Sequence, residues 1–234
     1  MKQELVKLYS EIHNCHICPK MDKFKLQRNI ESVDENSSVF ILSQALAERQ
    51  LRKSGVNFFK EDGTVGDTGR LLEKFLNQFD QTIYPPREII LANGTKVPKC
   101  ANKYKSVYNT EITQCYPGKG KVKGDRVPDK NEIQSCIDSN FLLNEIQIIQ
   151  PKLMLLMGRA STQTFFRYIL KIENKLTLTD LINQIISKNE IPKTNIFGNE
   201  IAYVPIQHAS GANPSFGKMC NNEKLIALIK NYLD

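Results

Sequence analysis

A chain of 234 residues that is 41% hydrophobic and 24% charged carries enough apolar material for one core of ordinary size, which argues against a disordered tail or two small stapled modules. Thirty-two Lys and Arg against 25 Asp and Glu leave a net charge of +7, a modest excess that favours an anionic partner. The densest apolar run, 153–157, is far too short to cross a bilayer, and residues 1–14 intersperse Lys2, Glu4, Lys7 and Glu11 among Leu5, Val6, Leu8 and Ile12, with no apolar signal core. A cytoplasmic monomer with no membrane partner is expected.

Residues 1–14 read as an amphipathic helix. The β-branched and aromatic run 38–44 (SVFILSQ) predicts a buried strand, and 66–79 predicts a helix that starts at Asp67-Thr68-Gly69 and places Leu71, Leu72, Phe75, Leu76 and Phe79 at helical spacing. Two short apolar runs around Asn93-Gly94 predict a hairpin, read as an inserted arm at about 80–104. A second strand is expected over 107–113, and a long helix over 131–150 with Ile133, Ile137, Phe141 and Ile148 on one line, stopped by Pro151. Strands at 152–157 and 201–206 and helices at 159–170 and about 222–233 complete the pattern. Strands alternating with helices predict a single α/β domain with a largely parallel sheet, in which chemistry collects at the carboxyl ends of the strands. Those ends carry Ser43-Gln44, Glu111-Ile112-Thr113, Gly158 and Gln207-His208.

Six cysteines in a cytoplasmic chain point to metal ligands or buried thiols rather than disulfides. Cys15 and Cys18 form a C-x-x-C pair, and Cys115 and Cys136 supply two more thiols, a set that fits one four-cysteine site for zinc or an iron–sulfur cluster; Cys100 and Cys220 remain as substitutes for any of them. Lys119, Lys121, Lys123 and Arg126, spaced by glycines, form a basic loop suited to phosphates or, equally, a solvated one.

The strand ends resemble the motifs of family 4 uracil-DNA glycosylases. Residues 39–48 followed by Gly55-Val56-Asn57-Phe58-Phe59 and 65–72 resemble that family's strand, G-E-x-P-G-like turn, G-x-P-F segment and G-x-x-G-x-L-L helix start. The segment 108–117 (YNTEITQCYP) resembles Y-x-T-N-x-x-K-C-x-P. Residues 129–136 and 149–158 resemble the cluster helix and the strand after it, and 204–213 (VPIQHASGAN) resembles the H-P-S motif. The resemblance runs in order from Cys15 to about Lys218. It implies a three-layer α/β/α fold on a four-stranded, largely parallel sheet, DNA with a damaged or modified base as partner, and a [4Fe–4S] cluster on Cys15, Cys18, Cys115 and Cys136. Three departures stand out: Ser43-Gln44-Ala45-Leu46-Ala47 lacks the family's Glu and Pro, His208-Ala209-Ser210 replaces H-P-S, and Glu111 stands where the family has the Asn that reads the base.

The resemblance also implies roles. Phe58, or Phe59 one register on, is the surface on which an extruded base stacks, against the plainer reading of a core Phe. His208 stabilises the departing base by a hydrogen bond rather than by proton transfer. Gln44 sits beside the sugar, Gln50 or Glu48 holds the attacking water, Ser210, Asn213 and Ser215 contact phosphates, and Phe216 fills the space that the base leaves. Glu111 sets specificity: an ionised carboxylate only accepts, which suits the amino group of cytosine and not the O4 carbonyl of uracil. The expected activity is therefore a monofunctional glycosylase for a modified cytosine-type base, with defence against phages that decorate their DNA as one setting. The alternatives are a conventional uracil-DNA glycosylase in base excision repair and a non-catalytic nucleic-acid-binding module built on a four-cysteine metal site.

Overall fold

The computed structural model describes residues 1–18, 28–45, 54–120 and 125–234. In chain order the elements are α1 (Lys2–His13), β1 (Val39–Ala45), α2 (Asp67–Leu76), β2 (Gln81–Thr82), β3 (Ile89–Ile90), β4 (Lys96–Val97), β5 (Lys105–Ser106), β6 (Tyr108–Thr113), α3 (Lys130–Asp138), α4 (Phe141–Ile149), β7 (Leu153–Met157), α5 (Arg159–Thr164), α6 (Leu178–Lys188), β8 (Lys193–Ile196), β9 (Asn199–Ile206), α7 (Pro214–Cys220) and α8 (Glu223–Leu233). The main sheet has the order β6-β1-β7-β9-β8, parallel throughout except for β8.

Period-two alternation in β1 divides the apolar residues between the two faces of the sheet. Val39 and Ile41 meet Leu72 and Phe75 of α2 and Leu225 and Ile229 of α8 on one face. Phe40 and Leu42 meet Leu5 of α1, Leu142 and Ile146 of α4 and Phe165 on the other. Two cores on opposite sides of one sheet make the three-layer α/β/α architecture. The expected strands fall within a residue or two of β1, β6, β7 and β9, and the Asn93-Gly94 hairpin pairs Ile89 with Val97 and Ile90 with Lys96.

Helices α6 and α7 stand where no element was expected, and three further details differ. A fifth strand, β8, closes the sheet antiparallel to β9; its alternation is weak, because only Ile196 of Lys193–Ile196 is buried. The helix expected over 131–150 breaks at Asn140, which adopts the left-handed conformation (φ 58°) and separates α3 from α4. The helix expected over 159–170 ends in a π turn, Phe165–Ile169, which keeps both Phe165 and Phe166 buried against Tyr203.

Candidate active site

The carboxyl ends of the parallel strands lie in a row, about 4.8 Å apart from strand to strand. At the end of β7, Gly158 donates its N–H to the Ile206 carbonyl at 2.9 Å and so ties that end to β9. Gly158 adopts φ +88°, open to glycine at little cost, and an added Cβ there would lie 3.5 Å from the Cβ of His208. His208 therefore emerges beside the end of β7, with β1 and Gln44 one strand further along.

His208 is exposed at its edge, while Ala209 beside it is wholly buried and anchors the loop. Partial desolvation lowers the His208 pKa below the ordinary histidine value, which favours a neutral imidazole. Asn213 braces this loop from both ends: its Nδ2 donates to the His208 carbonyl at 3.1 Å, and its Oδ1 accepts from the N–H of Ser215 and caps α7. The Ser210 hydroxyl accepts from the Ala212 N–H at 3.3 Å. Phe216 is a correction to the sequence reading. It is 2% exposed and packs edge-on against Phe75, so in this conformation it belongs to the core.

Phe58 adopts φ +69°, a conformation that is unusual for an aromatic residue and that costs free energy unless its surroundings enforce it. The enforcing contacts are visible: the Gly66 N–H donates to the Phe58 carbonyl at 2.8 Å, and Asn57 Nδ2 donates to the Asn109 carbonyl of β6 at 3.2 Å. Gly69 makes room for Phe58, since a Cβ there would sit 2.8 Å from the Phe58 Cβ. A pocket lined by Arg28, Asn57, Phe58, Tyr108 and Asn109 opens at this edge of the sheet. Phe58 itself is 5% exposed, and Phe59 is fully buried in the same core.

Glu111 is 3% exposed and sits in a buried polar network that sequence reasoning missed. Arg28 Nη2 donates to its Oε2 at 3.1 Å, and Asn109 Nδ2 donates to its Oε1 at 2.9 Å. Ser43 Oγ lies 3.2 Å from Asn109 Oδ1 and fixes the other end of that amide. The same guanidinium reaches Glu145 at 3.0 Å through Nη1, and Glu145 further accepts from the Tyr108 and Thr110 hydroxyls and from Gln114 Nε2. Arg28 spans both sides of β6 because β6 is an edge strand. Burial pushes the Glu111 carboxyl up to about 7, while Arg28 pulls it down, nearby Glu145 pushes it up and the Asn109 hydrogen bond pulls it down. Arg28 lies in a polar stretch with no signal. Glu145 carries one: it is a charge placed four residues after Phe141 and four before Ile149, on the apolar line of α4, where burial requires a partner.

Cys15, Cys18, Cys115 and Cys136 all line one pocket, with Ile12 and Phe141 packed beside them. Cys100 and Cys220 lie elsewhere and do not contribute to it. The Gln114 N–H points at Cys136 Sγ at 3.4 Å, and the Gln114 side chain reaches Glu145, so one residue connects the thiol pocket to the buried network. Burial pushes the Cys136 thiol up to about 12, and burial together with Cys15 raises Cys18. Among the described residues no three His, Cys, Asp or Glu side chains are drawn together at metal-ligand spacing. The donor set nevertheless suits a thiolate-bound metal group: four soft sulfurs around one pocket, with a backbone N–H directed at one of them.

Gln44 is half-buried at the end of β1. Gln50 and Glu48, expected near the attacking water, lie outside the described residues, as do Lys121 and Lys123. In the described part of the basic loop, Lys119 pairs with Asp125 at 2.8 Å, and Arg126 pairs with Glu132 at 2.6 Å.

A family model described as the uracil DNA glycosylase superfamily matches residues 30–233. The chain is also similar to a protein named type-4 uracil-DNA glycosylase from Saccharolobus solfataricus, at 23% identity over 215 residues, which covers 91% of this chain and 80% of that one.

Proposed function

The chain belongs to the uracil DNA glycosylase superfamily, and from that premise we propose that it is a monofunctional DNA glycosylase that hydrolyses the bond between sugar and base for an extruded cytosine-type base. Such an enzyme needs an aromatic surface, an edge reader and a stabiliser for the departing base. Phe58 is the aromatic surface. His208, neutral and held by the Asn213 brace, donates a hydrogen bond to the carbonyl oxygen of the departing base as negative charge collects there. Gln44 at the end of β1 lies beside the sugar, and Gln50 or Glu48 holds the attacking water. Ser210 and Asn213 shape the loop that meets the phosphate.

The observation that carries the choice of base is the pairing of Glu111 with Arg28. A guanidinium in contact favours the ionised carboxylate, which only accepts, and each carboxylate oxygen keeps a lone pair beyond those taken by Arg28 and Asn109. An exocyclic amine supplies a hydrogen to that edge, whereas the uracil carbonyl meets it lone pair to lone pair. Removal of modified cytosines would suit an enzyme directed at phage DNA. Cys15, Cys18, Cys115 and Cys136 would hold a [4Fe–4S] cluster, or zinc in its place, with the structural task of fastening α1 to α3.

The test is base release from matched duplexes that carry uracil, cytosine and 5-substituted cytosines, bulky hydroxymethyl and glycosylated forms included. Wild type should release a cytosine form in preference to uracil, and Glu111→Asn should move relative activity toward uracil by roughly 5- to 150-fold, the range set by one edge contact of about 1–3 kcal/mol. Release of uracil alone, with an unchanged order in the variant, would favour the conventional repair enzyme.

A further inference from the structure

A groove on the face opposite α2 and α8 is assigned no task by the chemistry above. Its floor and one wall come from a single stripe, Ala160, Gln163, Thr164 and Arg167, at the i, i+3, i+4, i+7 spacing of one helix face. The π turn keeps this stripe facing outward while Phe165 and Phe166 stay in the core. Lys130 at the start of α3 and Lys175 also line it. Ala160, at one end of the stripe, is two residues from Gly158, whose end of β7 lies beside His208.

Lys130, Arg167 and Lys175 are exposed, and among the described residues none of them makes an ion pair, in contrast to Lys119 and Arg126 of the glycine-spaced loop. One acid, Glu173, also lines the groove. The stripe from Ala160 to Arg167 rises about 10 Å at 1.5 Å per residue, and one DNA strand presents a phosphate about every 3.4 Å of helix axis. Arg167 ends that stripe and Lys130 and Lys175 line the same groove, so three cations border a length that spans about three phosphates. The Gln163 amide and the Tyr168 hydroxyl supply uncharged donors between them.

We propose that this groove binds the phosphate backbone of the DNA strand where it leaves the active site, so that Lys130, Arg167 and Lys175 contribute affinity without reading sequence. The proposal rests on the reading that the chain acts on DNA. Its signature is the salt dependence of binding, because each phosphate neutralised by a cation contributes about 0.9 to the slope of log K against log salt. The experiment measures affinity for an unmodified duplex between about 50 and 200 mM salt, with wild type, with Lys130→Gln/Arg167→Gln/Lys175→Gln, and with Lys103→Gln/Lys188→Gln/Lys224→Gln as a control of equal charge.

The groove variant should show a slope shallower by about 2 to 3, so that wild type loses about 40-fold more affinity than the variant over that fourfold salt range. Each single substitution should flatten the slope by about 1, and Glu173→Gln should tighten binding. Base release at saturating DNA should match wild type. A groove variant with the wild-type slope, or a control that flattens as much, would overturn the proposal even where base release is normal. A wild type that releases no base from any substrate, yet loses its slope in the groove variant, would instead remove the glycosylase reading and leave the groove standing.

Discussion

Arg28 Nη2 donates to Glu111 Oε2 at 3.1 Å, with both side chains almost wholly withdrawn from water. One guanidinium thus serves two carboxylates, because Nη1 holds Glu145 at 3.0 Å. The donors are divided unequally. Glu145 accepts from Arg28, Tyr108, Thr110 and Gln114, whereas the side chain of Glu111 accepts from Arg28 and Asn109.

Removal of this guanidinium strands two buried carboxylates. Arg28→Met should destabilise the protein by about 3–5 kcal/mol, the usual consequence of breaking a buried pair from one side. Arg28→Lys should recover part of that loss, since an ammonium restores the charge without the planar fork that reaches both acids. Urea unfolding of the three proteins measures the difference, and equal midpoints would remove Arg28 from the structural account.

If Glu111 reads the base as proposed, its carboxyl, carried up to about 7 by burial, should give the reaction a pH limb. A carboxyl whose folded pKa lies above its unfolded value contributes stability below the unfolded value and loses that contribution as pH rises through the folded one. Its ionised form therefore grows in through about pH 7. Single-turnover release of an amino-bearing base should climb between roughly pH 6 and 8, while Glu111→Gln should lack that limb. His208, with its pKa lowered, stays neutral across the upper part of this range and does not mimic the effect.

His208→Ala should lower single-turnover release by about 10²–10³, the cost of one preorganised donor to a developing charge. The side chain is exposed, so the melting temperature and the affinity for DNA should stay near wild type. A variant that turns over normally would move the stabilising role elsewhere.

Cys115→Ala/Cys136→Ala should purify without the metal group proposed for the wild type, and with a less stable junction between α1 and α3. Iron, sulfide and zinc analysis of anaerobically purified proteins decides the matter: iron and sulfide in the wild type with none in the variant supports the cluster, zinc alone replaces it, and iron retained by the variant rejects the ligand set. Cys100→Ala/Cys220→Ala should keep the wild-type content, since neither thiol lines the shared pocket.

Local pattern carried much of this protein in readable form. The β-branched run around Phe40, the two-residue alternation that divides Val39 from Phe40, the Asn93-Gly94 turn and the helical spacing of Leu72 and Phe75 depend on neighbours in sequence, and each produced the element expected from it. The order of the strand-end motifs likewise placed Gly158 and His208 at one end of a parallel sheet. What sequence could not supply were contacts across the chain. Nothing near Arg28 announces Glu111, 83 residues away, or Glu145, 117 away, because a buried charge is decided by which partner the fold brings to it. The same holds for Phe216, whose aromatic ring suits a wedge or a core equally until Phe75 is found beside it, and for Lys119 and Arg126, whose partners Asp125 and Glu132 are settled by the fold. Spacing along a chain determines which face a side chain joins; what it meets there depends on how the layers close.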